Sequence, residues 1–141
     1  IKAQQNPELY LDKARAADKR KGKGADWVDK RFKGISTRNA LTHTLSHHGC
    51  KTGKDFSRCT KASYEGLFGR SVPALREALN ITEKQSIRDN MSSTQLTILE
   101  LSEDLAKKKI EGKNINGAKN CADTCRDASQ AISQAVQNFL K

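Results

Sequence analysis

The side chains best suited to chemistry are the three histidines and four cysteines: His43, His47, His48, Cys50, Cys59, Cys121 and Cys125. His43 and His47 are four residues apart, a spacing compatible with a zinc site on one helix face. A structural zinc site usually takes four ligands in two well-spaced pairs, whereas Cys121 and Cys125 lie far along the chain. We therefore expect no metal site and no cofactor.

A catalytic role for the thiols has little support in the sequence. A cysteine nucleophile needs a base, an orienting group and a cleft that excludes water, and no motif specifies them. There is no phosphate-binding glycine loop and no distinctive carboxylate pair, and Arg88-Asp89 suits a buried or helix-capping ion pair. Cys121 and Cys125, one helical turn apart, are expected to act as small core residues. We expect no enzyme activity.

Positive charge is the other chemical feature of the chain. Its 141 residues include 26 Lys and Arg against 16 Asp and Glu, a formal net charge of +10. Residues 1–70 hold 16 of these cations against 7 acids, whereas residues 71–141 are close to neutral. The candidate phosphate contacts form three cation groups: Lys19, Arg20, Lys21 and Lys23; Lys30, Arg31, Lys33 and Arg38; and Lys54, Arg58 and Lys61, with Lys51 beside them.

These groups predict an acidic partner. If they converge on one face, they bind the phosphates of nucleic acid with a strongly salt-dependent affinity. The alternative is a solvated surface that serves only solubility. Solubility does not require the cations to be clustered in one half of the chain, because an even spread would have the same effect. A second hypothesis is a protein-interaction module for a repressor, recombinase or filament protein, in which the charge steers association without touching DNA.

Helices must position these side chains. Asn6 and Pro7 are typical of a helix start, which predicts a helix from Pro7 to about Lys21. A second helical pattern extends from Asp26, its expected cap, to Gly49. It forms one long helix or two abutting ones, because Gly34 lies inside it. The next helix is expected over residues 53–64, closed by the glycine-bounded segment 66–69.

The second half predicts a helical hairpin. Ser71 can cap a short helix that ends at Leu79, and an irregular connector follows over residues 80–91. Ser92 and Gln95 have the spacing of a reciprocal capping pair at the start of a helix that ends near residue 112. After a polar loop, the last helix carries an apolar seam: Ala118, Cys121, Cys125, Ala128, Ile132, Ala135 and Phe139. The predicted class is all-α, with about six helices and a long C-terminal helical hairpin.

Residues 38–64 are also the best candidate for a helix-turn-helix. Leu41 and Leu45 would face the core, and Gly49 would lie in the turn. The outward positions of the second helix would be Lys54, Ser57, Arg58 and Lys61. Any two amphipathic helices joined through a glycine share this pattern, so sequence-independent phosphate contact is the preferred interpretation.

The chain is expected to form a single helical domain over residues 1–141. No stretch has the 18 to 20 apolar residues of a membrane span, and the first residues do not resemble a signal peptide. The scattered cysteines indicate reduced thiols and a cytoplasmic location. A start at Ile1 suggests a fragment or a processed product, and the apolar seam of the last helix suits a homodimer.

Three segments resemble a known group of regulatory proteins. Asp26–Thr42 (DWVDKRFKGISTRNALT), Tyr64–Gly69 (YEGLFG) and Ile87–Ser92 (IRDNMS), the last followed by Gln95-Leu96, occur here in that order. They resemble the region after the amino-terminal domain of phage antirepressors of the BRO type, and similar blocks occur in DNA-damage-inducible protein D. The resemblance implies a cofactor-free regulator from phage, plasmid or another mobile element, acting on DNA or on DNA-bound proteins. The separate domain credited with DNA binding in such antirepressors has no counterpart in this chain.

Overall fold

The computed structural model describes residues 24–141, which form five α-helices and one short 3₁₀ turn. The helices are α1 (Ala25–His47), α2 (Gly53–Phe68), α3 (Val72–Leu79), α4 (Ser93–Lys113) and α5 (Ala118–Leu140), with the 3₁₀ turn at Arg88–Asn90. These residues contain no strand, so the all-α prediction is confirmed for them. None of the five helices is both long and apolar enough to cross a bilayer. The helix predicted over residues 7–21 lies outside the described residues.

Two helical hairpins lie side by side. α1 and α2 form one hairpin, α4 and α5 the other, which confirms the predicted C-terminal hairpin. α1 packs along α4 and α2 along α5. The contacts of α1 with α4 advance in the same direction on both helices, from Lys33–Glu100 (3.5 Å) to Thr44–Glu111 (2.7 Å). The paired helices are therefore parallel, and the two hairpin turns meet at the same end.

Side-chain caps begin three of the helices. Thr52 Oγ1 accepts the Asp55 N–H while the Asp55 carboxylate accepts the Thr52 N–H at the start of α2. Ser71 caps α3 in the predicted way. At α4, Ser92 and Gln95 form the predicted reciprocal pair. Each cap satisfies backbone donors that the first turn of a helix leaves without partners.

Other helix boundaries differ from the predictions. The N-cap of α1 is Gly24, so the expected cap Asp26 lies within the first turn instead. α1 is continuous through Gly34. α2 extends to Phe68 rather than ending at residue 64, and Gly66 is one of its interior residues. A Cβ at Gly66 would lie 2.5 Å from the Arg126 carbonyl oxygen, so this glycine allows α5 to approach closely.

The core has two parts. The larger side chains, such as Phe68, Leu75 and Leu99, form one cluster, and small side chains of α2, α4 and α5 form much of the second with Leu41 and Leu45. The seam predicted on α5 is confirmed at Cys121, Cys125 and Ala128. It is wrong at Ala135 and Phe139, which are exposed, and Ile132 and Val136 pack against the first cluster instead.

A buried ionic network connects four elements. The Arg88 guanidinium forms a bidentate ion pair with Glu103 and donates to the Tyr64 hydroxyl at 3.1 Å. Both Arg88 and Glu103 are buried. Arg38 of α1 approaches the same carboxylate at 3.9 Å and donates to Thr60 at 2.7 Å. This agrees with the buried role expected for Arg88, although its partner is Glu103 rather than Asp89.

Replacing the buried carboxylate tests this network. We expect Glu103→Gln to lower the free energy of unfolding by about 3–5 kcal/mol, because it leaves the Arg88 charge buried without a counterion. The matched control is Asp104→Asn on the same helix, which removes only an exposed pair with Lys108 and is expected to cost less than about 1 kcal/mol. Urea unfolding followed by circular dichroism measures both. Equal effects of the two variants would contradict the role of Glu103.

Candidate nucleic-acid interface

α2 carries a row of exposed cations on the face away from the core. Lys54, Arg58 and Lys61, here called the α2 stripe, occupy positions i, i+4 and i+7, and Ser57 lies beside them. The opposite face of α2 is buried against α5. Seven residues of helix span about 10 Å, so the three charges follow one straight edge of the domain. The outward orientation that the sequence predicted is confirmed.

In the described part of the chain, the cations of the α2 stripe form no contact ion pairs with nearby acids. Among residues 24–141, none of its three side chains forms an ion pair. Asp55 is engaged by the backbone N–H groups of Lys51 and Thr52, which hold the pKa of this carboxyl below its usual value. Glu65 pairs with Arg126 at 3.2 Å.

The stripe also lines a shallow cleft. Its volume is about 450 Å³, and Asp55, Ser57, Glu65 and Arg126 complete its walls. Its lining has four cations, counting Arg126, against the two acids Asp55 and Glu65, so its net charge is positive. A surface of this kind can attract an anionic group such as a phosphate.

The second cation group, on α1, has a different environment. Arg31 pairs with Asp89 at 2.8 Å, Lys33 with Glu100 at 3.5 Å and Arg38 with Glu103. These contacts connect α1 to α4 and to the connector that precedes it. Lys30 lies half-buried on the same helix. The first group, Lys19, Arg20, Lys21 and Lys23, lies outside the described residues.

The helix-turn-helix prediction is confirmed for which side chains are buried or exposed, and wrong for how α1 and α2 pack. Leu41 and Leu45 are buried, and Gly49 lies in the turn between α1 and α2. However, α1 packs mainly on α4 and α2 mainly on α5, with sparse direct contact between α1 and α2. The two helices therefore do not form the compact pair that defines a helix-turn-helix.

All four cysteines lie together next to the hairpin turns, which the sequence analysis did not predict. Cys50 Sγ and Cys59 Sγ are 3.9 Å apart, and Cys121 Sγ donates to the His48 carbonyl at 3.5 Å. Cys125 is in the same cluster, and all four thiols are free and buried. The heptad spacing of Cys121 and Cys125 indicated burial, but nothing local indicated that Cys50 and Cys59 face them.

Burial opposes ionisation of the Cys50 and Cys121 thiols. It raises the pKa of both Cys50 and Cys121 to about 12. The pKa of Cys59 is also raised, by its hydrogen bond with Cys125 and by burial. Residues 24–141 contain no group of three or more ligating side chains arranged to hold a metal ion. A nucleophilic cysteine needs the thiolate form, which this environment opposes at Cys50, Cys59 and Cys121.

The described residues form a small all-α domain in which α2 exposes a row of cations. The chain belongs to the DinD C-terminal domain family, whose model matches residues 31–140. The resemblance to DNA-damage-inducible protein D is thereby confirmed, and the domain is one of a DNA-damage-related family. The resemblance to BRO-type antirepressors stays a prediction. No curated protein matches the chain significantly.

Thiol labelling tests the cysteine environment. At pH 8 we expect Cys50, Cys59 and Cys121 of the native protein to react with a disulfide reagent at least about 100-fold more slowly than after unfolding, because only the thiolate reacts. The raised pKa values stabilise the fold fully below about pH 9. This contribution is lost as the pH rises toward 12, because the unfolded thiols ionise first. Rapid labelling of the native protein would contradict this environment and support a thiol enzyme.

Proposed function

We propose that this is a noncatalytic, DNA-associated regulatory domain of the antirepressor-like type, acting in the cytoplasm, whose basic face contacts nucleic-acid phosphates. The observation that carries the proposal is the α2 stripe: exposed cations on one helix face without ion pairs among the described residues. Cations in this state can neutralise phosphates, and so release the counterions condensed on the nucleic acid, without first breaking an internal contact. The DNA-damage-related family is consistent with this role.

The other cation groups have secondary roles in this proposal. Arg31, Lys33 and Arg38 are engaged with acids, so their use by a phosphate requires the loss of an existing ion pair. The group over residues 19–23 precedes α1 in the chain and remains a predicted set of contacts. The raised pKa of the thiols supports a noncatalytic domain, because an activated cysteine needs a lowered one.

Salt-dependent binding to a 20-base-pair DNA duplex tests the proposal. We expect Lys54→Gln combined with Arg58→Gln to reduce the slope of log affinity against log salt by about two, since each phosphate contact contributes roughly 0.9. The control is Arg31→Gln combined with Lys33→Gln, which removes the same charge from ion-paired positions and should change the slope by less than about one. Fluorescence anisotropy over increasing salt measures both. Absence of duplex binding by the unaltered protein at low salt would contradict the proposal.

A second candidate function is a protein-interaction module for a repressor, recombinase or filament protein. It is favoured by an apolar face on α1, where Val28, Phe32 and Ile35 follow helical spacing and are 51%, 77% and 43% exposed. Contiguous exposed apolar side chains are typical of protein interfaces. In this case the positive charge speeds association rather than contacting DNA.

A pull-down with purified repressor or recombinase in nuclease-treated buffer separates the two candidates. If the α1 face binds a partner, Phe32→Ser should lower its capture at least about tenfold, while Lys54→Gln with Arg58→Gln leaves the equilibrium amount nearly unchanged. Capture that survives Phe32→Ser and disappears with the α2 variant would contradict the α1 face as the interface.

A further inference from the structure

The α2 stripe begins at the end of the domain where the hairpin turns meet. We propose that the ligand of the stripe is the phosphate backbone of duplex rather than single-stranded nucleic acid, and that Lys51 and Lys113, which flank these turns, add contacts to it. This inference rests on the proposed function and names the form of nucleic acid and two further residues. It depends on the contact between the turns, on the free charge there and on the position of the aromatic side chains.

The two turns are joined by direct backbone contact. The Gly117 N–H donates to the His48 carbonyl at 2.9 Å, and His48 Nδ1 donates to the Ile115 carbonyl at 2.9 Å. Gly49 has a φ of +98°, and a Cβ there would lie 2.6 Å from Gly117 N. Only glycine fits this close approach without displacing backbone. The two turns therefore form one rigid surface.

Two lysines border this junction: Lys51 lies on the turn between α1 and α2, and Lys113 is the last residue of α4. Lys51 follows Gly49 by two residues, and Lys113 precedes Ile115 by two residues. Both side chains are exposed, and neither forms an ion pair with any residue between 24 and 141. Together with the α2 stripe, they give five cations that span two hairpins.

The acids nearest in sequence to these lysines are already engaged. Asp55 accepts the backbone N–H groups of Lys51 and Thr52. Glu111 accepts from Thr44 at 2.7 Å and from Lys107 at 3.3 Å, and these contacts lower its pKa. The two carboxylates therefore leave Lys51 and Lys113 available for an external anion.

The exposed phenylalanines of residues 24–141 lie away from this surface. Proteins that bind single strands combine a basic groove with aromatic rings on which the bases stack. Among residues 24–141, the exposed phenylalanines are Phe32 and Phe139. Along their helices they lie about 20 and 30 Å from the turns, at a rise of about 1.5 Å per residue. Phe56 of α2 is half-buried against the core.

The exposed rings nearest the turns are those of His43 and His47. They pack against each other, with ring centroids 4.4 Å apart. Near the turns, residues 24–141 offer exposed cations but no exposed phenylalanine, tyrosine or tryptophan, which favours binding through phosphates. Charge density then decides the ligand, and a duplex carries one negative charge per about 1.7 Å, more than a single strand. The duplex is therefore the favoured form.

Competition between the two forms of DNA tests the inference. The probes are a 20-base-pair duplex and a non-pairing 20-nucleotide single strand, with affinity measured by fluorescence anisotropy from low to physiological salt. We expect the unaltered protein to bind the duplex at least about tenfold more tightly at low salt. We expect Lys51→Gln combined with Lys113→Gln to reduce the duplex slope by about two.

The matched control is Lys84→Gln combined with Lys141→Gln, which removes the same charge from exposed positions on the connector after α3 and at the C-terminus. It should change the slope by less than about 0.5. Equal slope changes in the two double variants would overturn the turn contacts, because bulk charge alone would explain the binding. Single-strand binding as tight as duplex binding would overturn the choice of duplex. Failure to bind either probe would instead overturn the proposed function itself.

Discussion

The backbone contact between the two hairpin turns is the constraint on which the rest of the structure depends. It joins residues 48–49 to residues 115–117, and Gly49 leaves no space for a side chain there. With the turns joined at one end, α1 lies beside α4, and α2 beside α5. This arrangement buries one face of α2 against α5 and leaves the opposite face, with its cations, in solvent. The position of the basic surface is therefore a consequence of how the turns meet.

Charged side chains have two distinct environments in this fold. Those on α1 compensate for a core that is rich in small residues, since Arg31, Lys33 and Arg38 connect α1 to acids elsewhere in the chain. Burial lowers the pKa of Arg88, but Tyr64 and Glu103 raise it by more, so that this guanidinium keeps its charge inside the protein. The cations of α2 have no such partners among the described residues. Net charge alone does not separate these environments.

The sequence predicted the features that depend on short-range interactions. The capping pair of Ser92 and Gln95, the Ser71 cap and the exposure of Arg58 depend on residues within one or two helical turns. It did not predict that the ion pair of Arg31 reaches a residue 58 positions away, or that Thr44 meets a residue 67 positions away. It also placed the end of α2 before Gly66, because the reason for that glycine lies on α5. Such partners follow from packing, which local patterns do not specify.

Packing also explains why fewer cations are available to the candidate interface than the sequence predicted. A cation contributes to phosphate binding by displacing counterions from the nucleic acid, and one that already has an acid 3 to 4 Å away must first give up that ion pair. Asp55 lies within the α2 stripe, but its Oδ2 accepts two backbone hydrogen bonds in the helix cap. Its charge still acts at a distance on Arg58, but it does not form a contact pair with that guanidinium. The α2 stripe therefore depends as much on how the acids are engaged as on where the lysines and arginines lie.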